Sequence, residues 1–476
     1  MFHHNVEIKQ YSDGGNYESF LLQKQNEIPD SGFTPDHLNE YLFSFQHDIV
    51  KWALRKGKAA LFEDTGLGKT IQQLAWADAV AKHTHGKVLI LAPLAVSKQT
   101  AKEAQKFGIL CNLCESDADV VNGINITNYE KIQHFNTDQF SGIVLDESSI
   151  LKSYAGKTTS DMIHRFRHTP YKLACTATPS PNDFTELGNH AEFLDVCTMN
   201  EMLSMFFIND YSGGIGWRLK RHSTEEFFKW IGEWAIMIKS PADLGFDGSA
   251  FKLPQLNIES IVLESKTPEN QLFAMPAQTL QERRQARKDS LTDKVQKAVE
   301  IIAEHPNESF LIWCNYNDES EALKKAITGG FEVKGSDDPA HKEKGMLGFA
   351  DGSVPILISK PSICGFGMNW QNCHEMIFCG LSDSYEQFYQ AIRRCYRFGQ
   401  QKQVNVYVIT SEAESAILNN IEQKQANHEL MSREMLKVIN MVTKEKLYSL
   451  KFEHSSYRPQ DTFKSPTWLK KGKDNE

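Results

Sequence analysis

Residues 63–70 read Glu-Asp-Thr-Gly-Leu-Gly-Lys-Thr, and farther on an Asp146-Glu147 pair closes the apolar run Gly142-Ile143-Val144-Leu145. The first stretch has the make-up of a phosphate cradle. Glycines at 66 and 68 let the main chain curl with its N–H groups inward, and a helix starting at Thr70 would aim its positive end at the same anion. Lys69 is placed to bridge the β- and γ-phosphates of a nucleoside triphosphate, and the Thr70 hydroxyl to hold Mg²⁺. The second stretch puts two carboxylates at the carboxyl end of a buried strand, where open α/β sheets bind ligands. Asp146 is expected to reach Mg²⁺ through water, and Glu147 to orient and deprotonate the attacking water. One departure is visible: the general phosphate-loop pattern has glycine at position 63, and this chain has Glu63. Cradle and carboxylate pair together read as the centre of a nucleoside-triphosphate hydrolase.

These residues need strands and helices to hold them. Apolar runs at 59–62, 87–92, 143–146 and 171–175 are separated by helix-compatible stretches, and after about residue 290 the pattern restarts, with runs at 309–314, 355–359, 375–379 and 404–409. Helical segments such as 318–327 and 384–397 fall between the later runs. Repeated strand-then-helix order implies parallel sheets covered by helices. The expected fold is therefore α/β, with two similar lobes and a cleft between them. Only the first lobe carries a cradle. In the second, a helix expected over Tyr385–Tyr396 carries Gln390, Arg393 and Arg394, with Arg397 just beyond. Arg394 and Arg397, three apart, would be neighbours on one helix face. They would either reach the γ-phosphate across the cleft or form a solvated basic face.

With 476 residues, 41% hydrophobic and 24% charged, the chain has the composition of an ordinary globular protein with room for two or three domains. Its longest apolar stretch, Val88–Val96, has nine residues and includes a proline, too short to span a bilayer. Met1-Phe2-His3-His4-Asn5 lacks a basic-then-apolar leader, so a cytoplasmic location is expected. The net charge of −9 argues against indiscriminate nucleic-acid binding and leaves room for a local basic groove. The nine cysteines are scattered and read as reduced thiols; Cys111 and Cys114 have a metal-like spacing but no second pair at zinc-ribbon distance.

The series of short motifs resembles superfamily 2 helicases, most closely their Swi/Snf-like DNA translocase branch. Gly66-Leu67-Gly68-Lys69-Thr70-Ile71-Gln72 resembles motif I, and Gln46 stands where the family has an adenine-contacting glutamine. Leu91-Ala92-Pro93 resembles motif Ia, Ile126–Glu130 motif Ib, Asp146-Glu147-Ser148-Ser149 motif II and Thr176-Ala177-Thr178-Pro179 motif III. Phe310–Cys314 is similar to motif IV, Gly365–Gln371 to motif V and Gln390–Gln400 to motif VI. The resemblance covers roughly residues 38–410, in order. It implies two RecA-like lobes closing on ATP and Mg²⁺, with nucleic acid across their top. Gln46, Thr65, Gly66, Leu67, Gly68, Lys69, Thr70 and Gly367 would line the nucleotide, Thr70 and Asp146 would hold the metal, and Arg394 and Arg397 would be arginine fingers. Thr176–Thr178 would couple hydrolysis to nucleic-acid contact, and motifs Ia, Ib, IV and V would supply sequence-independent phosphate contacts. The chain departs from the pattern in two places. Ser148-Ser149 replace a motif with a histidine that many relatives use to link motifs II and III, and Arg393 stands where remodeller-type relatives commonly have an acidic residue. Nothing resembles a histone reader, and the chain looks more like stand-alone motors of bacteria, phages or prophages.

The expected division is an extension over 1–37, the ATP-binding lobe over 38–190, a mostly helical insertion and linker over 191–289, the second lobe over 290–412 and a helical segment with a basic tail over 413–476. The insertion holds Trp217-Arg218-Leu219-Lys220-Arg221-His222, then Phe227-Phe228-Lys229-Trp230 and Trp234. Basic residues interleaved with aromatics either contact nucleic acid, even as a strand-separating wedge, or form an amphipathic helix packed on the first lobe. Arg283, Arg284, Arg287 and Lys288, and the tail 464–473, add basic character. Three functions follow: an ATP-driven motor on double-stranded DNA; a helicase on branched or single-stranded DNA, or on RNA; or a nucleotide-switched module that clamps nucleic acid or a partner protein. Motif I and motif II lack the full DEAD-box RNA helicase form, and the resemblance favours DNA.

Overall fold

The computed structural model describes residues 28–152, 157–180, 183–209, 216–264, 288–364, 368–382 and 384–414, together with 421, 425, 429, 433 and 436–447. The first lobe runs α1 (Ser44–Lys56), β1 (Lys58–Glu63), α2 (Lys69–Thr84), β2 (Lys87–Ala92), α3 (Leu94–Lys106), β3 (Cys111–Leu113), β4 (Gly123–Asn128), β5 (Phe140–Asp146), α4 (Lys157–Arg165) and β6 (Tyr171–Thr176). It continues through α5 (Leu187–Phe193), α6 (Met199–Phe206), β7 (Phe207–Asn209), β8 (Trp217–Leu219), α7 (Thr224–Gly232) and β9 (Ala235–Ile238). Seven of these strands form one sheet in the order β3-β4-β2-β5-β6-β1-β9, parallel throughout. Strands buried on both faces read as continuous apolar runs, which is why Ala59–Phe62 and Val88–Ala92 show no polar alternation. Their side chains still alternate between faces: Phe62, Leu89 and Leu91 enter one core, and Leu61, Val88 and Ile90 the other.

The second lobe comprises β10 (Leu256–Leu263), α8 (Leu291–Glu304), β11 (Phe310–Trp313), α9 (Asn317–Ala326), β12 (Gly330–Val333) and α10 (Pro339–Asp351). It is completed by β13 (Ile356–Ser359), α11 (Pro361–Cys364), β14 (Glu375–Cys379), α12 (Tyr385–Ile392) and β15 (Val404–Ser411). Its six strands are ordered β10-β15-β14-β11-β13-β12, again all parallel, with a core on each face. The fold is α/β: two RecA-like lobes, each a parallel sheet covered by helices.

Two features differ from the sequence expectation. Residues 191–289 are not all insertion: β9 pairs with β1 in the first sheet, and β10 pairs with β15 in the second. Ala235-Ile236-Met237-Ile238 is only four residues, and β10 is largely exposed, so neither gives a strong apolar run. The helix expected over Tyr385–Tyr396 ends at Ile392. The backbone tightens there, with the Arg394 N–H on the Ala391 carbonyl (3.3 Å) and the Cys395 N–H on the Ile392 carbonyl (3.2 Å), three residues back instead of four; the Trp370 backbone N–H holds the Arg394 carbonyl at 3.0 Å, and Gly399 at φ 93° completes the turn. Farther on, residues 436–447 are helical and return to the first lobe, where Ile439 and Leu447 join its two cores. Among the described residues no helix is long and apolar enough to cross a membrane.

Candidate active site

The cradle hangs on β1 and α2. Gly66 and Gly68 adopt φ of 89° and 80°, a left-handed backbone that glycine enters without a Cβ penalty. The space around them is equally restrictive: a Cβ on Gly68 would fall 2.3 Å from Gln46 Nε2, and one on Gly66 2.7 Å from the Phe398 backbone nitrogen of the second lobe. Lys69 Nζ donates to the carbonyls of Glu63 (2.8 Å) and Asp64 (3.2 Å). Thr70 follows in the first turn of α2, and Thr65 takes the Asp64 carboxylate at its N–H (2.7 Å). Gln46 is buried, donating to the Leu67 carbonyl (2.7 Å) and accepting from the Phe43 N–H (2.9 Å), so its amide braces the loop from below. Gly367 lies outside the described residues.

Glu63 needs no glycine's freedom. It is the last residue of β1, and its side chain turns into the core, 0% exposed, where Gln72 Nε2 donates to Oε2 at 2.7 Å. Burial pushes its carboxyl up to about 7 against the pull of Lys69 and Gln72.

In the sheet order β5 is separated from β1 by β6 alone, and the register pairs Asp146 with Cys175 and Phe62 with Thr176. Motif II, motif III and the cradle therefore end level on one edge. Gln73 donates to Asp146 Oδ1 (2.8 Å) and the Tyr129 hydroxyl to its carbonyl (2.7 Å). Burial and the neighbouring Glu147 raise the Asp146 carboxyl to about 6. Glu147 has φ 57°, a left-handed conformation costing a non-glycine residue of order 1–3 kcal/mol and concentrated at functional sites. Its Oε2 is buried without a hydrogen-bond partner.

The second lobe brings its arginines to this edge. Arg394 is buried, with Nε on the Gln390 carbonyl (3.0 Å) and Nη1 on the Met368 carbonyl (3.3 Å), which also accepts from Arg397 Nη1 (3.2 Å). Burial and Arg397 depress the Arg394 guanidinium to about 10, while Glu147 and Asp146 pull it back up across the cleft. The two arginines converge through the turn after α12 and not along one helix face, and they are not a solvated basic surface.

Several partners were not visible in the sequence reading. Arg393 forms an ion pair with Asp64 of the cradle, and the Tyr389 hydroxyl donates to the same carboxylate (2.6 Å). Arg393 also lies over the rings of Tyr389 and Tyr396, at 5.3 and 5.4 Å from their centroids. The basic residue that breaks the remodeller pattern is thus matched by an acid in the opposite lobe. Glu386 on α12 pairs with Lys152 and accepts from the Thr178 hydroxyl of motif III at 3.4 Å. Where motif II lacks a histidine, His190 from α5 reaches the Ser148 hydroxyl at 3.1 Å. Its ring is T-shaped on Phe62 at 5.3 Å, and burial holds it neutral, its imidazole lowered to about 4. A histidine 42 residues from Ser148 gives no sequence signal; the Gln72-Gln73 pair and Arg393 were in plain view. All nine cysteines are unbridged; Cys111 is on β3, and the Cys114 thiol bonds Asn125 Oδ1 at 3.4 Å.

Residues 45–207 match the family described as SNF2-related domain, and residues 293–399 the helicase conserved C-terminal domain; together they take in more than half of the chain. YwqA of Bacillus subtilis (strain 168), provisionally named an ATP-dependent helicase/translocase, is 22% identical over 434 residues, 77% of this chain and 46% of YwqA. The protein p41 of Acyrthosiphon pisum secondary endosymbiont phage 1 is 23% identical over 421 residues, 74% of this chain and 87% of p41. The chain spans about half the length of the first of these relatives. A cradle and a carboxylate pair on one lobe, faced by buried arginines of a second RecA-like lobe and carried by these two domain families in this order, place the chain in the Swi/Snf-like branch of the superfamily 2 helicases, a family of ATP-hydrolysing enzymes that act on nucleic acid.

Proposed function

We propose that this protein hydrolyses ATP with Mg²⁺ and uses the cycle to move along or remodel double-stranded DNA. The observation that carries the reading is the facing of Arg394 and the Asp146-Glu147 pair across the lobes, beside Lys69. In this reading the N–H groups of 65–68, Lys69 and the positive end of α2 bind the phosphates. Asp146 and Thr70 would hold the metal, which would supply positive charge against that developing on the phosphates. The chain fits such an ion: buried Asp146 stands beside half-buried Glu147, the Glu147 Oε2 has no hydrogen-bond partner, and burial together with Glu147 raises the Asp146 carboxyl to about 6. Glu147 takes the proton of the attacking water. Arg394 and Arg397 exchange the Met368 carbonyl for the γ-phosphate, so the lobes must close further for turnover. Lys69 likewise leaves the carbonyls of Glu63 and Asp64. Gln46 acts in this scheme by bracing Leu67. Thr178, held to Glu386, passes closure to the lobe edges that contact nucleic acid. The lobe limits 38–190 and 290–412 belong to the same proposal, extended by β9 and β10.

A triplex-displacement assay tests movement on duplex. ATP-dependent release of a third strand from intact duplex, abolished by Lys69→Ala, is the expected result. No release by a protein that hydrolyses ATP on the same duplex would rule out translocation along it.

A further inference from the structure

The aromatic half of the inserted segment is packing, since Phe227, Phe228, Trp230 and Trp234 are buried in the first lobe's core. Chemistry that the proposed cycle leaves unused lies instead at the rim of the cradle. Asp64 has its N–H on the Ile238 carbonyl of β9 (2.9 Å), so its main chain is fixed while its carboxylate folds back on the loop. There Oδ1 accepts from the Thr65 N–H (2.7 Å) and the Tyr389 hydroxyl (2.6 Å), and Oδ2 pairs with Arg393. The Thr65 hydroxyl oxygen is buried and has no hydrogen-bond partner. A backbone N–H, a phenol and a guanidinium thus converge on one carboxylate, and that is the donor set of an anion site.

The groups held by Asp64 are ones that a nucleotide needs. The Thr65 N–H belongs to the run 65–68 that faces the phosphates, and here an internal anion occupies it. The Asp64 carbonyl also holds Lys69, at 3.2 Å. Arg393 is enclosed: its side chain is 10% exposed and that of Asp64 12%, and the rings of Tyr389 and Tyr396 lie against it. A guanidinium so enclosed is strongly destabilising without a partner, so when Asp64 leaves, another anion must replace it. Phosphate fits, because the planar fork that takes a carboxylate takes a phosphate equally well. The turn after Arg393 already lies on the loop, where a Cβ on Gly66 would fall 2.7 Å from the Phe398 nitrogen. We propose that the Asp64 carboxylate stands in for phosphate in the nucleotide-free protein. Nucleotide displaces it from the Thr65 N–H, and Arg393 changes partner from Asp64 to a phosphate, joining Arg394 and Arg397 as a third arginine of the site. This rests on the ATPase reading above and deepens it. Asp64 competes with the nucleotide and Arg393 recruits it, so removing them has opposite effects.

The test is a fluorescence titration of the full chain with mant-labelled AMPPNP, an ATP analogue that is not hydrolysed, in Mg²⁺ and without nucleic acid. Asp64→Asn keeps the shape and removes the charge; it is expected to tighten binding about tenfold, and Arg393→Ala to weaken it about tenfold, the worth of one hydrogen bond to a charged group. Arg393→Lys, with the charge but not the fork, should fall between Arg393→Ala and the wild type. An ion pair that only holds the lobes together would shift both variants in the same direction. That result would overturn the proposal, as would wild-type affinity in both. Should Arg393→Ala fail to fold, Asp64→Asn decides: unchanged or weaker binding contradicts the competition. Absence of binding by the wild type would count against the ATPase reading itself, and the proposal would fall with it.

Discussion

At the scale of single residues, Lys69 and Glu147 have separable jobs in the proposed cycle. Lys69→Ala should abolish turnover while leaving the thermal midpoint near that of the wild type, because its ammonium serves only loop carbonyls in this state. Glu147→Gln should bind ATP and lower kcat by about 10²–10⁴-fold, the usual worth of a positioned general base. Unchanged turnover in either would remove that residue from the mechanism. Glu63 gives a pH prediction. Its folded carboxyl titrates near 7 against an ordinary 4.5, so the folded state holds a proton that the unfolded chain has lost. Its contribution is complete below 4.5 and lost as pH rises through about 7. His190 acts oppositely, its imidazole lowered from 6.5 to about 4, which costs stability as pH falls through that interval. The wild-type profile mixes the two, so the variant is the informative measurement. Glu63→Gln should lose less stability between pH 5 and 7.5 than the wild type, by roughly 2–3 kcal/mol, read from denaturant melts; identical slopes would contradict the assignment.

At the scale of elements, the sequence exposed what is both apolar and contiguous. The strands at 59–62, 87–92, 143–146 and 171–175 were legible because both faces of each are buried, and the phosphate loop because glycine at 66 and 68 is dictated by backbone geometry. Strands such as β3, β9 and β12, of three or four residues, leave too short a pattern, and exposed β10 reads as polar. The end of α12 was illegible for another reason: no proline or glycine stands between Ile392 and Tyr396 to mark it, and the chain tightens into three-residue turns beside Trp370 of a distant loop. Contacts between elements were equally hidden, as Asp64 with Arg393 and Ser148 with His190 show, since each partner comes from a separate stretch of chain. The Asp64–Arg393 pair ties the cradle to the turn after α12, and its strength is testable by a double-mutant cycle. Asp64→Asn and Arg393→Ala should each destabilise, and together fall short of additivity by about 1–3 kcal/mol. Strict additivity would mean that the pair does not hold the lobes together.

At the scale of the whole molecule, an acidic chain that works on a polyanion must confine its positive charge to a few places. Arg393 and Arg394, at the end of α12, are buried facing Asp64 and the Asp146-Glu147 pair of the first lobe. Lobe closure links them: Glu386 joins Lys152 and Thr178, so the elements that feel the nucleotide also set how the lobes meet. Nucleic acid that favours the closed arrangement must then tighten nucleotide binding, by the reciprocity of coupled binding, and raise the population in which the arginines meet the nucleotide. The most direct measurement is steady-state ATPase at low salt with no nucleic acid, blunt duplex DNA, single-stranded DNA, forked DNA and structured RNA. Strong stimulation by blunt duplex, falling steeply with salt, is the expected result. Stimulation by RNA alone, or by none of these polymers, would contradict it.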